Sequence, residues 1–224
     1  MKINFISWNT QGDGIRKISD SCSAFFQSGI PSILLLQEAG SVCKNYGSLF
    51  NTSFGRHAMN GYFVEQDNVG NPRCTTGIFS ETSLTGSFNK HEKIAKRPIV
   101  CLELSTAAGN YAIATIHATA NHNVSKNELL TAAQYLDQTY FGKNGWLLMG
   151  DFNCEPHELV ATGIPSANIA ASGAVTQQSG HQLDYAIFSD SLIGKVTVCF
   201  GAPGDTDFVP LSSDHYPVYC TLDL

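Results

Sequence analysis

Six short apolar runs in this chain carry their polar residues at one end only, and which end it is follows a fixed order. Four runs finish in a polar cluster: Ile6-Ser7-Trp8-Asn9, Leu35-Leu36-Gln37-Glu38, Ala114-Thr115-Ile116-His117 and Leu148-Met149-Gly150-Asp151-Phe152-Asn153. Two later runs begin with one: Gln182-Leu183-Asp184-Tyr185, then Ser212-Ser213-Asp214-His215-Tyr216-Pro217. Runs of this length and content read as strands. If the first four strands run one way and the last two the other, all six clusters meet at one sheet edge. That edge collects Asn9, Glu38, His117, Asp151, Asn153, Asp184, Asp214 and His215. Its oxygen donors suit a hard cation such as Mg²⁺ or Mn²⁺, and its two imidazoles suit proton handling and contacts to a transition state. Taken singly, each residue has an ordinary explanation, since Asp or Asn after a strand is usually a turn former. Six such events in one order carry more weight than any one.

The remaining apolar, β-branched runs extend the strand list to Gly61–Glu65, Thr76–Ser80, Ile99–Leu104, Asn110–Ile116, Val196–Phe200 and Val218–Leu222, with Ile3–Trp8, Ser32–Leu36, Trp146–Met149 and Leu183–Phe188 leading into the clusters. A helix is expected over Ile15–Gln27, stopped by Gly29 and Pro31. A second should open on the capping box Ser125-Lys126-Asn127-Glu128, with Leu129, Ala133, Leu136 and Tyr140 on one face. A short third should start at Glu155-Pro156, because Pro is tolerated in a first turn. Strands outnumber helices and many lie next to each other, so mixed sheets flanked by helices are expected over a purely parallel, doubly wound sheet. With 224 residues and no linker or repeat, one domain over 1–224 is the simplest organisation.

Charge narrows the function. Lys and Arg number 13 against 19 Asp and Glu, a formal charge of −6, which argues against a basic nucleic-acid coat but not against an enzyme that neutralises one or two phosphates locally. No apolar run reaches the ~18 residues of a membrane-spanning helix. Met1 is followed at once by a strand-like segment, with no basic, apolar and small-residue signal pattern. None of the seven cysteines forms a CxxC pair, so a zinc or redox motif is weak; Cys101, Cys199 and Cys220 read as buried hydrophobes, while Cys43 and Cys74 could pair in an exported protein.

The order of motifs resembles the endonuclease/exonuclease/phosphatase superfamily. The cues are Trp8-Asn9-Thr10-Gln11-Gly12, Gln37-Glu38-Ala39-Gly40-Ser41, Arg97-Pro98, His117-Ala118, Gly150-Asp151-Phe152-Asn153 followed by Glu155-Pro156, and Leu183-Asp184-Tyr185-Ala186. Gln-Glu-Ala-Gly-Ser and the Glu-Pro extension bring the resemblance nearest to the catalytic components of cytolethal distending toxins. The resemblance implies a four-layered α/β sandwich, two packed mixed β-sheets flanked by helices. It implies a divalent-metal-dependent phosphodiesterase with Mg²⁺ as cofactor, replaceable by Mn²⁺ or Ca²⁺, and DNA as the substrate, cut without sequence preference. Carried over residue by residue, Glu38 is the principal metal ligand with Asn9 and Asp214 beside it. His117, Asp151, Asn153, Asp184 and His215 are catalytic: His215 is general base or phosphate stabiliser oriented by Asp184, and Asp151 with Asn153 positions the attacking water. His117 contacts the phosphate or protonates the leaving oxygen. Arg97, Asn9 and Asn153 bind substrate. A toxin component would further imply secretion, delivery or binding subunits, and action in a host nucleus. One departure weakens the expected DNA grip: where the toxin components usually carry another arginine, this chain reads Asn121-His122-Asn123. Alternatives are a phosphoinositide phosphatase of the same superfamily and, in a different class, a catalytically silent binding module.

Overall fold

The computed structural model describes residues 1–12, 18, 26, 29–40, 46–65, 75–91, 97–200 and 213–224. Among them, a seven-stranded sheet contains β1 (Lys2–Asn9), β2 (Ser32–Gln37), β3 (Leu49–Phe54), β4 (His57–Glu65), β5 (Thr75–Glu81), β12 (Val196–Phe200) and β13 (Val218–Asp223), in the order β12-β13-β1-β2-β5-β4-β3. A six-stranded sheet contains β6 (Thr85–His91), β7 (Ile99–Thr106), β8 (Gly109–His117), β9 (Gly145–Asp151), β10 (Ile169–Ala170) and β11 (Asp184–Phe188), in the order β10-β11-β9-β8-β7-β6. Helices α1 (His122–Thr139) and α2 (Pro156–Val160) accompany the second sheet. This is the mixed, two-sheet α/β sandwich that the resemblance implied.

Strand alternation builds three apolar layers. Ile3 and Phe5 of β1, Ile33 and Leu35 of β2, Ile113 of β8, Leu147 and Met149 of β9 and Ala186 of β11 pack together between the sheets. The intervening residues point outward: Ala112, Ala114 and Leu148 pack with Leu129 and Leu136 of α1, while Ile6, Trp8, Leu34 and Leu36 build the outer layer of the first sheet. Because successive side chains of a strand point to opposite faces, the inward parity continues to the strand ends. It delivers Asn9, Gln37, His117, Asp151 and Asp184 to the polar end of the inter-sheet space. The expected strand directions hold within each sheet: β1 and β2 are parallel, as are β8 and β9, whereas β13 opposes β1 and β11 opposes β9. The clusters meet between two sheets, however, and not along one sheet edge as the single-sheet reading expected.

Polar contacts tie the sheets at that end. Gln37 Nε2 donates to Thr115 Oγ1 across the interface at 2.8 Å, with both residues fully buried. We expect Thr115→Val, which keeps the shape and removes the acceptor, to cost about 1–3 kcal/mol in denaturant unfolding. An unchanged midpoint would show that Leu35 O and Ser7 Oγ, which the same amide reaches, suffice without it. Gly150 cannot be replaced without strain, since a Cβ there would run into the Ile116 carbonyl of the neighbouring strand.

Several local expectations change. Helix α1 is capped by Asn121, whose side chain accepts from the backbone N–H groups of Asn123 and Val124, and not by Ser125. Glu128 is therefore not part of a cap; it reaches back to the N–H and hydroxyl of Thr119. The expected Glu155-Pro156 start is found, with a reciprocal capping box between Glu155 and Glu158. Strand β4 begins at His57, four residues ahead of Gly61. The Ile15–Gln27 helix lies largely outside the described residues; Ile18 and Phe26 are described and buried. Cys22, Cys43 and Cys74 also fall outside them, while Cys101, Cys154 and Cys220 are buried. Among the described residues, no helix is long and apolar enough to cross a membrane.

Candidate active site

The polar end of the sandwich opens into a cavity of about 400 Å³ lined by Asn9, Glu38, Arg97, His117, Asp151, Asn153, Asp214 and His215. Of the site residues expected from sequence, Asp184 alone does not line it; Asp184 stands fully buried behind His215. Asp184 Oδ2 lies 2.9 Å from His215 Nδ1, which puts a proton on Nδ1 between them and turns Nε2 toward the cavity. His215 Nε2 is 3.6 Å from Asp151 Oδ2 and 3.9 Å from Asp214 Oδ1. On the opposite side, His117 Nε2 is 3.6 Å from the same Asp151 oxygen and 3.8 Å from Glu38 Oε1. Asp151 thus sits between the two imidazoles. Asn9 Nδ2 donates to Asp151 Oδ2 at 2.9 Å, joining the end of β1 to the end of β9 across the sandwich.

Local backbone holds these groups in place. Glu38 would follow Leu36 to the outer face if β2 continued, but its φ of 48° breaks the strand and aims it into the cavity. Gln11 at 50° and Asn153 at 49° are the other non-glycine residues with positive φ among those described, and both also line the cavity. Such conformations cost of order 1–3 kcal/mol each and concentrate at functional sites. Asn153 is fixed twice: its N–H donates to Asp151 Oδ1 at 3.1 Å and its Nδ2 to Ala118 O at 3.0 Å. The Ser213–His215 segment is pinned to β1, with Ser213 Oγ donating to Asn9 O and Trp8 Nε1 to His215 O.

The two histidines are driven to opposite charge states. Burial lowers the pKa of His117 to about 4; the Asp151 charge opposes this, while Arg97 and His215 add to it. Burial also opposes charge on His215, yet Asp184, by its charge and its hydrogen bond, then Asp151 and Asp214, together raise it to about 10. Asp151 is itself raised, first by burial and then by Asp184. The surroundings therefore favour a neutral His117 and a charged His215, with a carboxylate of raised proton affinity between them. A linkage consequence follows for His215, whose pKa rises from 6.5 on folding. The stability it contributes is present in full below pH 6.5 and is lost as pH rises through about 10. Chemical denaturation across that range should show the loss in the parent and not in His215→Gln.

Beside Ala120, two polar cavity residues escaped the sequence reading. Gln177 places its amide 3.2 Å from His215 Nε2, and Gln11 Oε1 accepts from the Asp214 N–H at 3.2 Å. Gln11 stands two residues after Asn9 and could have been read from that proximity, but nothing local marks Gln177, which is brought in by its backbone bridge to His215.

The donors fit a hard divalent cation. Glu38 and Asp214 bring carboxylates to one cavity, which Asn9 also lines with its Oδ1 accepting from the Gln11 N–H at 3.1 Å, and Asp214 Oδ1 is buried with no hydrogen-bond partner among the described residues. Asp151, Asp184 and His215 also bring three ligand atoms within 4.8 Å of one another. Asp184 is closed off from the cavity, so a cation held there could not face a substrate, and the Asp184–His215 contact is better described as a hydrogen bond. A larger hollow of about 560 Å³ lies around Tyr140, Trp146 and Phe188. Its acidic groups Asp137 and Asp190 are already bonded to Trp146 Nε1 and Asn168 Nδ2.

Fold and site together define a hydrolase of the deoxyribonuclease I-like class, built around a buried Asp–His pair and an acidic, metal-compatible cavity. The chain belongs to the Endonuclease/Exonuclease/phosphatase family, whose pattern matches residues 6–215. Within it the chain is similar to the B component of the cytolethal distending toxin of Escherichia coli, 29% identical over 136 residues. That match covers 54% of this chain and 47% of the toxin component, about half its length. The fold is shared with a chain of the cytolethal distending toxin of Actinobacillus actinomycetemcomitans (TM-score 0.72, 20% identity, 99% and 98% of the two chains). It is also shared with the human nocturnin catalytic domain (0.70, 17%, 99% and 94%) and Caenorhabditis elegans TDP2 (0.65, 15%, 100% and 98%). The family is divalent-metal dependent.

Proposed function

We propose that this protein is a Mg²⁺-dependent phosphodiesterase that nicks DNA without sequence preference. The reading rests chiefly on the Asp184–His215 pair converging with neutral His117 on Asp151. Asp151, raised in proton affinity, takes the proton of the attacking water while Asn153 orients it. Because Asp184 and the neighbouring carboxylates favour the charged form of His215, we assign it the stabilising role: Nε2–H would face the phosphate oxygens, with Asp184 holding the charge in place. Neutral His117 donates a hydrogen bond to the phosphate or leaving oxygen. Glu38, Asp214 and Asn9 would hold Mg²⁺, which when bound neutralises phosphate charge and eases departure of the leaving oxygen. Mn²⁺ or Ca²⁺ would meet the same oxygens. Contacts of this kind go to phosphate and carry no sequence information. Similarity to a toxin component further supports a secreted protein that acts with separate delivery chains.

Supercoiled-plasmid nicking with Mg²⁺ and with chelator, run beside phosphate release from a phosphoinositide, tests the reading. Nicking that stops with chelator is expected. Nicking that survives exhaustive chelation, or phosphate release without nicking, would overturn it. Arg97 lines the cavity and supplies a cation for a phosphate. Arg97→Ala should weaken DNA binding more than it slows turnover and lower the salt slope of binding by about one. An unaltered slope would remove Arg97 from the DNA path.

A further inference from the structure

Beside the catalytic cavity, two imidazoles from distant parts of the chain meet over the first turn of α2. His122 opens α1, and His181 closes the 176–181 turn. His122 Nδ1 lies 3.1 Å from Glu158 Oε2, and His181 Nδ1 lies 3.0 Å from Glu155 Oε1. The two carboxylates are themselves fixed by the capping box, in which Glu155 N–H donates to Glu158 Oε2 at 2.8 Å; the other Glu158 oxygen lies 3.8 Å from Lys126 Nζ. A carboxylate at Nδ1 holds the proton there and leaves the lone pair on Nε2, the arrangement in which histidine ligates metals. The ring centres are 6.4 Å apart with planes at 65°, and the side chains are 54% and 50% exposed.

From this we infer a second cation site, for a transition metal of the Zn²⁺ or Ni²⁺ class, in which His122 and His181 ligate through Nε2 and Glu158 and Glu155 orient them. Metal–nitrogen bonds of about 2.0–2.1 Å would bring two ring centres to roughly 5–6 Å. Joining one ion requires the half-exposed side chains to turn their Nε2 atoms toward each other while Nδ1 stays on its carboxylate, and water completes the coordination shell. Imidazole nitrogen selects such ions over Mg²⁺, so this site and the oxygen-rich cavity take different metals. The site is coupled to the cavity through one turn. His181 O accepts from the N–H groups of Thr176 and Gln177, and Gln177 reaches His215 Nε2. A cation shared by His122 and His181 ties that turn to the start of α1 and steadies Gln177 against His215.

Titration calorimetry of Zn²⁺ into the full chain, with Mg²⁺ in excess to fill the catalytic cavity, tests the site without depending on nuclease activity. The parent should bind Zn²⁺ and unfold at higher temperature in its presence. His122→Ala and His181→Ala should each weaken that binding at least tenfold and abolish the thermal shift, with Mg²⁺-supported turnover unchanged. His122→Gln retains a hydrogen bond to Glu158 but is a poor ligand, and should behave as His122→Ala does, which separates ligation from support of the fold. Parent-like Zn²⁺ affinity in both alanine variants, or no Zn²⁺ binding by the parent, would overturn the proposal.

Discussion

His215→Ala is expected to slow Mg²⁺-supported plasmid nicking by about 10²–10³-fold, the range seen when one preorganised donor to developing charge is removed. Among the described residues, the imidazolium is the one cation held within 4 Å of Asp151, Asp184 and Asp214 together. On the proposed reading its removal would strip the phosphate of its stabilising donor, and it leaves Asp184 buried without the imidazole that faces it. Some stability will go with it, because an uncompensated buried carboxylate is costly. Turnover should therefore be measured well below the unfolding temperature, with near-ultraviolet circular dichroism as the check on packing. Asp184→Asn should cost less, since the imidazole remains but is no longer held as a cation. Adding Asp184→Asn to His215→Ala should cost less than the two single losses combined, because Asp184 acts chiefly through the ring it orients and only secondarily through its charge on Asp151. Unchanged turnover in folded His215→Ala would move His215 to a structural role. Additive losses would mean that Asp184 touches the reaction by another route.

What could be read from the sequence, and what could not, follows burial. Every strand with a fully buried apolar run was legible, from Ile3–Trp8 through Val218–Leu222, because an apolar stretch bounded by polar residues has few places to go. The strands missed were β3, β6 and the two-residue β10, and each is an outer strand of its sheet. Leu49-Phe50-Asn51-Thr52-Ser53-Phe54 alternates exposed and half-buried positions until Phe54, so it has no apolar run to detect. Edge strands are held by pairing with a neighbour, which local composition does not record. The site was legible for a related reason. Inward parity places the last residue of β1, β8 and β9 on the core side, so a polar residue there marks the open end of the sandwich. Parity fails at Glu38, which reaches the cavity only through a left-handed turn; the polar end of its run marked it, and the family resemblance supplied its role as a metal ligand. Helix α1 was misjudged at its start because two capping signals overlap. Asn121 wins because its side chain accepts from two backbone N–H groups, while Ser125 Oγ is engaged with His122 O and Asn153 O.

Glu38→Gln should raise the Mg²⁺ midpoint for nicking about a hundredfold or more while leaving metal-free DNA binding intact. Losing even an outer partner of a metal ligand costs about 10–100-fold in affinity, so losing the charge of a ligand itself belongs at or beyond the top of that range. The substitution preserves shape and hydrogen-bonding capacity. The backbone at Glu38 should also survive it, since its carbonyl accepts from Thr10 Oγ1 at 2.8 Å and Gly12 N at 2.6 Å, and neither bond involves the side chain. Asn9, Asn153, His117 and Arg97 remain to meet a phosphate, and one negative charge fewer in the cavity should if anything favour it. Titrating the nicking rate with Mg²⁺ and measuring DNA binding in chelator test the two halves separately. A higher midpoint with normal metal-free binding assigns Glu38 to the cation. A normal midpoint would transfer the metal to Asp214 or Asp151, the other carboxylates that line the cavity. Loss of both properties would instead mark Glu38 as a support for the left-handed turn that closes β2.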